Sequence, residues 1–141
     1  MIESDVERVI EFYMNCYNEN DNEEWTYETT YKRSMQIFTK TDSHCFILED
    51  NREILGFTMG YVEEFIPSPF YFLSEIVVSP KVRGKGYGSE FMAYIEEALK
   101  EFNIGKIMLL SANDEMHKYF YGRLGYTTHD GIICMTKKLK P

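Results

Sequence analysis

Apolar residues recur every three or four positions in two stretches near the start of the chain. The stretch "ESDVERVIEFYMNCYN" opens with Ser4 and Glu7 in capping-box spacing, and its apolar positions then follow the helical period. Residues 21–40 also fit a helix, although their threonines have low helix propensity. The residues on the predicted apolar face of this second helix are Tyr27, Tyr31, Ser34, Met35 and Phe38. We therefore predict two helices before the first strand.

Two further helices are predicted in the second half of the chain. The clearest apolar stripe begins just after residue 90, with glutamates on the opposite side of the helix. Its members are Phe91, Ile95, Ala98, Leu99 and Phe102. The stretch "DEMHKYFYGRLGY" is predicted as a short helix that ends at Gly125 in a left-handed conformation.

Stretches rich in β-branched and aromatic residues lie between these helices. The stretch "HCFILEDNREILGFTMGYVEEF" predicts a hairpin that turns at Asp50 and Asn51. The stretch "FYFLSEIVVSP" is apolar enough for a central strand ended by Pro80, and "KIMLLSA" and "GIICMTKKL" predict two more strands. The order helix, helix, hairpin, strand, helix, strand, helix, strand indicates an α/β (mixed α+β) fold, in which helices cover the faces of a mixed sheet.

Composition narrows the class of protein. A chain of 141 residues with 44% hydrophobic and 27% charged residues fits one folded domain. No apolar run approaches the roughly 18 residues of a membrane span, and "MIESDVERVI" lacks the basic start of a signal peptide. Cys16, Cys45 and Cys134 form no CxxC pair, which favours a reducing cytoplasm over a disulfide framework or a zinc site. His44 and the other two histidines have no metal-ligand spacing, so no metal is expected.

The net charge of −8 lies entirely in the first third of the chain. Residues 1–50 hold 12 acidic and 4 basic side chains, and the remaining residues are balanced. Such a surface disfavours nucleic acid and anionic lipid as partners and favours cations. A solvated surface without a specific partner is the alternative interpretation.

The stretch "VRGKGYGSEF" places glycines at every second position between a predicted strand and a predicted helix. Glycines allow close approach to the backbone, and N–H groups at the start of a helix attract an anion such as phosphate. The chain contains no P-loop pattern, G-x-x-x-x-G-K-(S/T), and G-x-G-x-G this far along the chain does not fit a dinucleotide fingerprint. An ordinary turn between strand and helix remains the alternative.

Three stretches together resemble the GNAT superfamily of acyl-CoA-dependent N-acetyltransferases. The loop Arg83-Gly84-Lys85-Gly86-Tyr87-Gly88 resembles that family's pyrophosphate loop, (R/Q)-x-x-G-x-(G/A). The preceding "EIVVSP" resembles its fourth strand, and "YGRLGY" resembles its signature Y-x-x-L-G-(F/Y). The resemblance covers residues 45–139, while residues 1–44 share only a helix-helix pattern, and the family's first strand is expected to be short or absent.

The resemblance implies a fold and a co-substrate. One domain over 1–141 would have a mixed, mostly antiparallel sheet, with acceptor-side helices in 1–44 and the acetyl-CoA-binding core in 45–139. The residues implied to bind acetyl-CoA are Ile76, Val77, Val78, Arg83, Gly84, Lys85, Gly86, Tyr87, Gly88, Ser89 and Asn113. Asn113 departs from the pattern, because it lies eight residues before Tyr121 rather than the family's seven. Homodimers are common in the superfamily, so a homodimer is a further expectation.

The chemistry needs a base and an acid. An amine with a lysine-like pKa is about three units too basic to be neutral at pH 7, which costs about 4 kcal/mol. Glu75 is the candidate base, acting through water and expected to share a face with Tyr71, Leu73 and Val77; a solvated or lysine-paired carboxylate is the alternative. Tyr121 is the candidate acid for the CoA thiolate, since it matches the tyrosine of the signature; a packing role is the alternative.

Aromatic and acidic residues in the second predicted helix suggest how an acceptor could bind. The predicted aromatic and anionic cup for a cation consists of Trp25, Tyr27, Tyr31 and Glu28. Packing of the aromatic rings onto the sheet is the alternative. The sequence thus predicts an N-acetyltransferase that acts on a small cationic amine. The alternatives are acetylation of protein lysines or N-termini, a silent CoA-binding regulatory module, and a domain that binds another phosphate compound.

Overall fold

The computed structural model describes all residues from Met1 to Pro141. Its helices are α1 (Val6–Asn20), α2 (Tyr27–Phe38), α3 (Tyr87–Lys100) and α4 (Glu115–Arg123), and its strands are β1 (Phe46–Asp50), β2 (Glu53–Glu63), β3 (Phe70–Val78) and β4 (Ile107–Leu109). The chain forms two compact units, Met1–Leu110 and Ser111–Pro141. The first unit holds α1 to α3 and the whole sheet, and the second holds α4. None of the helices is long and apolar enough to cross a membrane.

The sheet has the strand order β1-β2-β3-β4. β1 and β2 are antiparallel, as are β2 and β3, whereas β3 and β4 are parallel. A parallel pair needs a crossover connection, and α3 supplies it. The α/β fold with a mixed, mostly antiparallel sheet is therefore confirmed, and no strand precedes α1.

The predicted hairpin forms between β1 and β2. Its two turn residues, Asn51 and Arg52, have φ angles of 48° and 67°. Two left-handed residues between antiparallel strands give the turn class that best matches the strand twist. The turn is thus centred one residue later than the sequence predicts.

Helices cover both faces of the sheet in the first unit. On one face, buried residues of α1 and α2, including Tyr13 and Ile37, pack with Phe57 of β2. On the other face, the ring of Tyr94 from α3 meets the ring of Phe46 edge-on, with centroids 6.4 Å apart. Phe46 pairs with the residue after Phe57, and successive strand residues point to opposite faces. α3 therefore lies on the face opposite α1 and α2.

Two details of the first helices differ from the prediction. The capping box at Ser4 and Glu7 is wrong, because a 3-10 turn over Glu3–Asp5 runs straight into α1 and leaves no extended residue to cap it. The buried residues of α2 are Thr30, Ser34 and Ile37. Tyr27 and Tyr31 are exposed instead, because tyrosine can keep its hydroxyl in a polar environment, and Tyr27 donates to Glu7.

The predicted last strand, "GIICMTKKL", is wrong. Residues 131–139 form no strand, and every one of them is exposed. β-favouring residues form a strand only where a neighbouring strand completes the hydrogen-bond ladder, and this segment has none. Phe102 also lies outside the apolar stripe of α3, since α3 ends at Lys100 and the Phe102 side chain is 55% exposed.

Candidate active site

The glycine loop between β3 and α3 has the backbone conformation that its sequence predicts. Pro80–Val82 form a 3-10 turn, and the Ser79 hydroxyl accepts a hydrogen bond from the Lys81 amide at 3.2 Å. Gly84 and Gly86 follow with φ angles of 78° and 83°, in the left-handed region that glycine adopts without strain. No heavy atom lies within 4 Å of a Cβ built on either glycine. Backbone conformation, rather than lack of space, therefore requires glycine here.

The loop and the start of α3 present unpaired backbone N–H groups. Gly86 is the N-cap of α3 and has no side chain to satisfy the first turn. The amides without an acceptor in the chain are those of Gly84, Gly86, Tyr87, Gly88 and Ser89. The amides of Arg83 and Lys85 instead donate within the turn, each at 3.4 Å, and their side chains are exposed. Free amides, two cationic side chains and the helix dipole together suit a phosphate-bearing ligand.

One edge of β3 is bare immediately before this loop. β4 pairs only with Tyr71–Leu73, whereas Ile76, Val77 and Val78 pair with β2 on their other side. Ser74–Val78 consequently offer an unpaired row of backbone donors and acceptors. Such an edge binds an extended chain of amides in the way that a further strand would.

A β-bulge decides which face of the sheet Glu75 occupies. Glu75 lies opposite Met59, but Leu73 lies opposite the next residue, Gly60, so Ser74 is an extra residue on β3. Residues directly opposite each other in an antiparallel pair share a face. Glu75 and Val77 therefore share a face, as predicted, and α1 and α2 cover that face. Its predicted grouping with Tyr71 and Leu73 is wrong, because the bulge shifts the alternation by one residue.

The carboxylate of Glu75 is enclosed by three donors. The Tyr13 hydroxyl donates to Oε1 at 3.2 Å, and the Tyr17 hydroxyl donates to Oε2 at 2.9 Å. The Arg33 Nε donates to Oε1 at 3.1 Å, which makes an ion pair in which the Glu75 side chain is 12% exposed. A nearly buried carboxylate needs a partner of opposite charge, and here that partner is an arginine rather than a lysine.

The two tyrosines stay protonated at neutral pH and donate to the carboxylate. Burial, followed by the negative charge of Glu75, raises the pKa of Tyr13 and of Tyr17 well above the usual tyrosine value. Neither tyrosine nor Arg33 was predicted to belong to the site. The available signal was the spacing of Tyr13 and Tyr17, which places two hydroxyls one turn apart on the apolar face of α1 and so requires a buried acceptor.

The predicted acceptor residues make two separate sets of contacts. Trp25 packs edge-on against Tyr13, with ring centroids 5.0 Å apart, and so adjoins the residues around Glu75. Tyr27 and Tyr31 stack on each other at 6.2 Å on the exposed side of α2. Glu28 is exposed. Trp25 is therefore the member of the predicted cup that the structure brings next to the Glu75 cluster.

In the second unit, Tyr121 lies on α4 with its ring against two aromatic neighbours. The ring meets Phe120 and Tyr126 edge-on, at 5.0 and 5.6 Å between centroids. Burial raises the pKa of Tyr121 above the usual tyrosine value, so its hydroxyl is protonated at neutral pH, as an unperturbed tyrosine would be. Gly125, at φ 91°, ends the helix as predicted, and the Tyr126 amide donates to the Tyr121 carbonyl at 3.0 Å.

Asn113 is exposed and does not cap α4. It directly precedes Asp114, which is the N-cap residue and whose Oδ1 accepts from the His117 amide at 2.8 Å. The side chain of Asn113 is therefore left without a structural role in the helix start. The chain has no group of three or more histidine, cysteine, aspartate or glutamate residues that could hold a metal ion.

A bare strand edge that is followed directly by a loop of free amides is suited to an extended, phosphorylated ligand. The chain belongs to the acetyltransferase (GNAT) family, whose model matches residues 6–126. Members of this family transfer acyl groups and use acetyl-CoA. No curated protein sequence matches the chain.

Solved structures share the fold over almost the whole chain. A GNAT family acetyltransferase from Staphylococcus aureus is 24% identical, with 99% of this chain and 95% of that chain covered and a TM-score of 0.73. An aminoglycoside acetyltransferase from an uncultured soil metagenomic sample, in complex with sisomicin, is 15% identical, with coverage of 99% and 93% and a TM-score of 0.76. A predicted acetyltransferase with acetyl-CoA from Clostridium acetobutylicum is 15% identical, with coverage of 96% and 92% and a TM-score of 0.77.

Proposed function

We propose that the protein transfers the acetyl group of acetyl-CoA to a primary amine of a small cationic acceptor. The observation that carries this proposal is the continuity of the bare edge at Ser74–Val78 with the free amides of Gly84–Ser89. The bare edge can pair with the amides of the pantetheine arm, and the free amides of the loop can bind the pyrophosphate. The edge and the loop follow each other along the chain as these two parts follow each other in CoA. Three free cysteines agree with a cytoplasmic location.

Acetyl-CoA, when bound, supplies the acetyl thioester, and the chain supplies the binding groups. The backbone of Ile76, Val77 and Val78 would pair with the pantetheine arm. The free amides from Gly84 to Ser89 would hold the pyrophosphate, and the side chains of Arg83 and Lys85 would add positive charge. Asn113, with an exposed side chain, is proposed as a further contact to the co-substrate.

Proton transfer is assigned to two residues. Glu75 is proposed as the base, which accepts a proton from the acceptor amine through water as that amine attacks the thioester carbonyl directly. Tyr121 is proposed as the acid, which donates its phenolic proton to the departing thiolate. This assignment rests on the match of Tyr121 to the tyrosine of the family signature and on its phenol being protonated at neutral pH.

The cationic nature of the acceptor is supported by charge. Residues 1–50 contain the entire negative excess, and α1 and α2 lie in this part of the chain. We assign Trp25, Tyr27, Tyr31 and Glu28 to the acceptor side. A similar fold holds an aminoglycoside, which is a polyamine, in the metagenomic enzyme. Protein lysines and N-termini are the second choice of acceptor.

One observation favours a different function, a silent CoA-binding module. Glu75 already accepts hydrogen bonds from Tyr13, Tyr17 and Arg33, which is also what a purely structural carboxylate would do. Such a module would bind CoA through the glycine loop but would show no dependence of thiol release on an amine.

The test is release of free thiol from acetyl-CoA with polyamines, aminoglycosides, amino acids and basic peptides. Wild type is compared with Tyr121→Phe and with a control, Tyr119→Phe, on the same helix with a 67% exposed side chain. We expect amine-dependent release that falls about 10²-fold or more in Tyr121→Phe and is unchanged in the control. Binding of CoA without amine-dependent release would support the silent module. Absence of CoA binding would refute the assignment of the loop.

A further inference from the structure

The two carboxylate oxygens of Glu75 have different numbers of hydrogen-bond donors. Oε1 accepts two hydrogen bonds, from Tyr13 and Arg33, whereas Oε2 accepts one, from Tyr17. Each carboxylate oxygen offers two lone-pair sites. Oε1 is thus fully occupied, and Oε2 keeps one site free for a proton.

We propose that Arg33 and Tyr17 are positioning residues, which fix the orientation of the Glu75 carboxylate and leave Oε2 as its proton-accepting atom. This inference rests on the proposed role of Glu75 as the base. Arg33 reaches Glu75 from α2 through Nε, and Tyr17 reaches it from α1, so the carboxylate is fixed between two helices. Arg33 contacts Oε1 and Tyr17 contacts Oε2, so each acts on the proton transfer through Glu75.

The ionisable groups that face Glu75 come from both helices packed on its strand. They are Tyr13 and Tyr17 from α1 and Arg33 from α2, while β2 places the non-ionisable Met59 opposite. Glu23 acts on Tyr17 electrostatically. Arg33 is therefore the one cation in contact with the carboxylate, and both tyrosines stay protonated and donate to it.

The physical consequence is a defined pH dependence. A cation and a donor next to a carboxylate favour its charged form, so loss of either makes protonation easier. Without Arg33, the acidic limb of the kcat/KM profile should move to higher pH. The expected movement is about one pH unit, the low end of the effect of an adjacent arginine, because the Arg33 side chain is 39% exposed and partly screened. On that limb, kcat/KM would fall about tenfold, while its high-pH plateau would change little.

The variants are Arg33→Met, Arg33→Lys and Tyr17→Phe. Arg33→Met removes the charge and should move the acidic limb to higher pH, whereas Arg33→Lys keeps the charge and should restore much of the wild-type profile. Tyr17→Phe removes the single donor to Oε2 and should move the limb in the same direction as Arg33→Met. The matched control is Arg8→Met, which removes an arginine of similar exposure that pairs with the more exposed Glu49, and which should leave the profile unchanged.

A second measurement does not depend on turnover. The side-chain carboxyl carbon of Glu75 is titrated by NMR, with its signal assigned through Glu75→Gln, in wild type, Arg33→Met and Arg8→Met. A midpoint that moves to higher pH only in Arg33→Met supports the inference, even if no acceptor is found and the proposed function fails. The inference is overturned if the folded variants Arg33→Met and Tyr17→Phe show no change in the NMR midpoint of Glu75 or in the acidic limb of the kcat/KM profile. That result would leave the proposed acetyl transfer intact, because amine-dependent thiol release is measured separately.

Discussion

Substitution of Gly86 by alanine tests whether the free amides of the loop hold a ligand. Gly86 has φ 83°, a conformation that costs an alanine about 1–2 kcal/mol. Nothing lies within 4 Å of the added Cβ, so a steric clash contributes nothing and the whole effect is backbone strain. The residues of the loop from Arg83 to Gly86 are exposed, so in the free protein the loop can relax and unfolding should be little affected.

The strain must then be overcome when the loop returns to its shape around the pyrophosphate. A difference of 1–2 kcal/mol corresponds to about a 5- to 30-fold rise in the Kd for CoA. Isothermal titration calorimetry with CoA measures this directly.

The matched control for this experiment is Gly122→Ala. Gly122 lies within α4, also has nothing within 4 Å of an added Cβ, and does not have a left-handed φ angle. Alanine there should leave the Kd unchanged and increase stability by about 0.5–1 kcal/mol, since alanine is the better helix former. If Gly86→Ala binds CoA as tightly as wild type, the left-handed amide is not part of the binding site and the reasoning fails.

Two further predictions concern stability. Gly60→Ala should reduce the free energy of unfolding by about 1–3 kcal/mol in a denaturant titration, because the added Cβ would overlap the Tyr71 side chain. The control is Gly105→Ala, whose added Cβ would make only an ordinary contact. Equal stability of the two variants would contradict the expected overlap. Burial raises the pKa of Tyr71 and Tyr17, so the folded state favours their protonated forms. Their contribution to the free energy of unfolding is therefore complete below about pH 10, the pKa of tyrosine in the unfolded chain, and is lost as the pH rises above it. Denaturant titrations at pH 8 and pH 10.5 should show that loss, and Tyr17→Phe should reduce it; a flat profile in wild type would refute the linkage.

Features that depend on local backbone chemistry could be predicted from the sequence. Gly84, Gly86 and Gly125 all adopt positive φ angles where the pattern requires a loop or a helix stop. The hairpin at Asn51 also follows from short-range turn preferences. In each case the residues that determine the conformation are neighbours in the chain.

Features that depend on distant partners could not be predicted. The bulge at Ser74 is visible only in the pairing of β3 with β2, and it places Glu75 on a different face from Leu73. Arg33 and Glu75 are 42 residues apart in the sequence, and no sequence motif indicates their contact. Residues 131–139 have a β-like pattern, but a strand also needs a neighbour, and the pattern does not reveal that none is present.

Acetyl transfer to a cationic amine can be detected directly in the acceptor molecule. The most direct measurement is mass spectrometry of polyamine and aminoglycoside acceptors after incubation with the protein and acetyl-CoA. We expect a product heavier by one acetyl group, formed only when protein and acetyl-CoA are both present and formed much more slowly by Tyr121→Phe. Unmodified acceptors across the whole panel, from a protein that binds CoA, would contradict the proposed function.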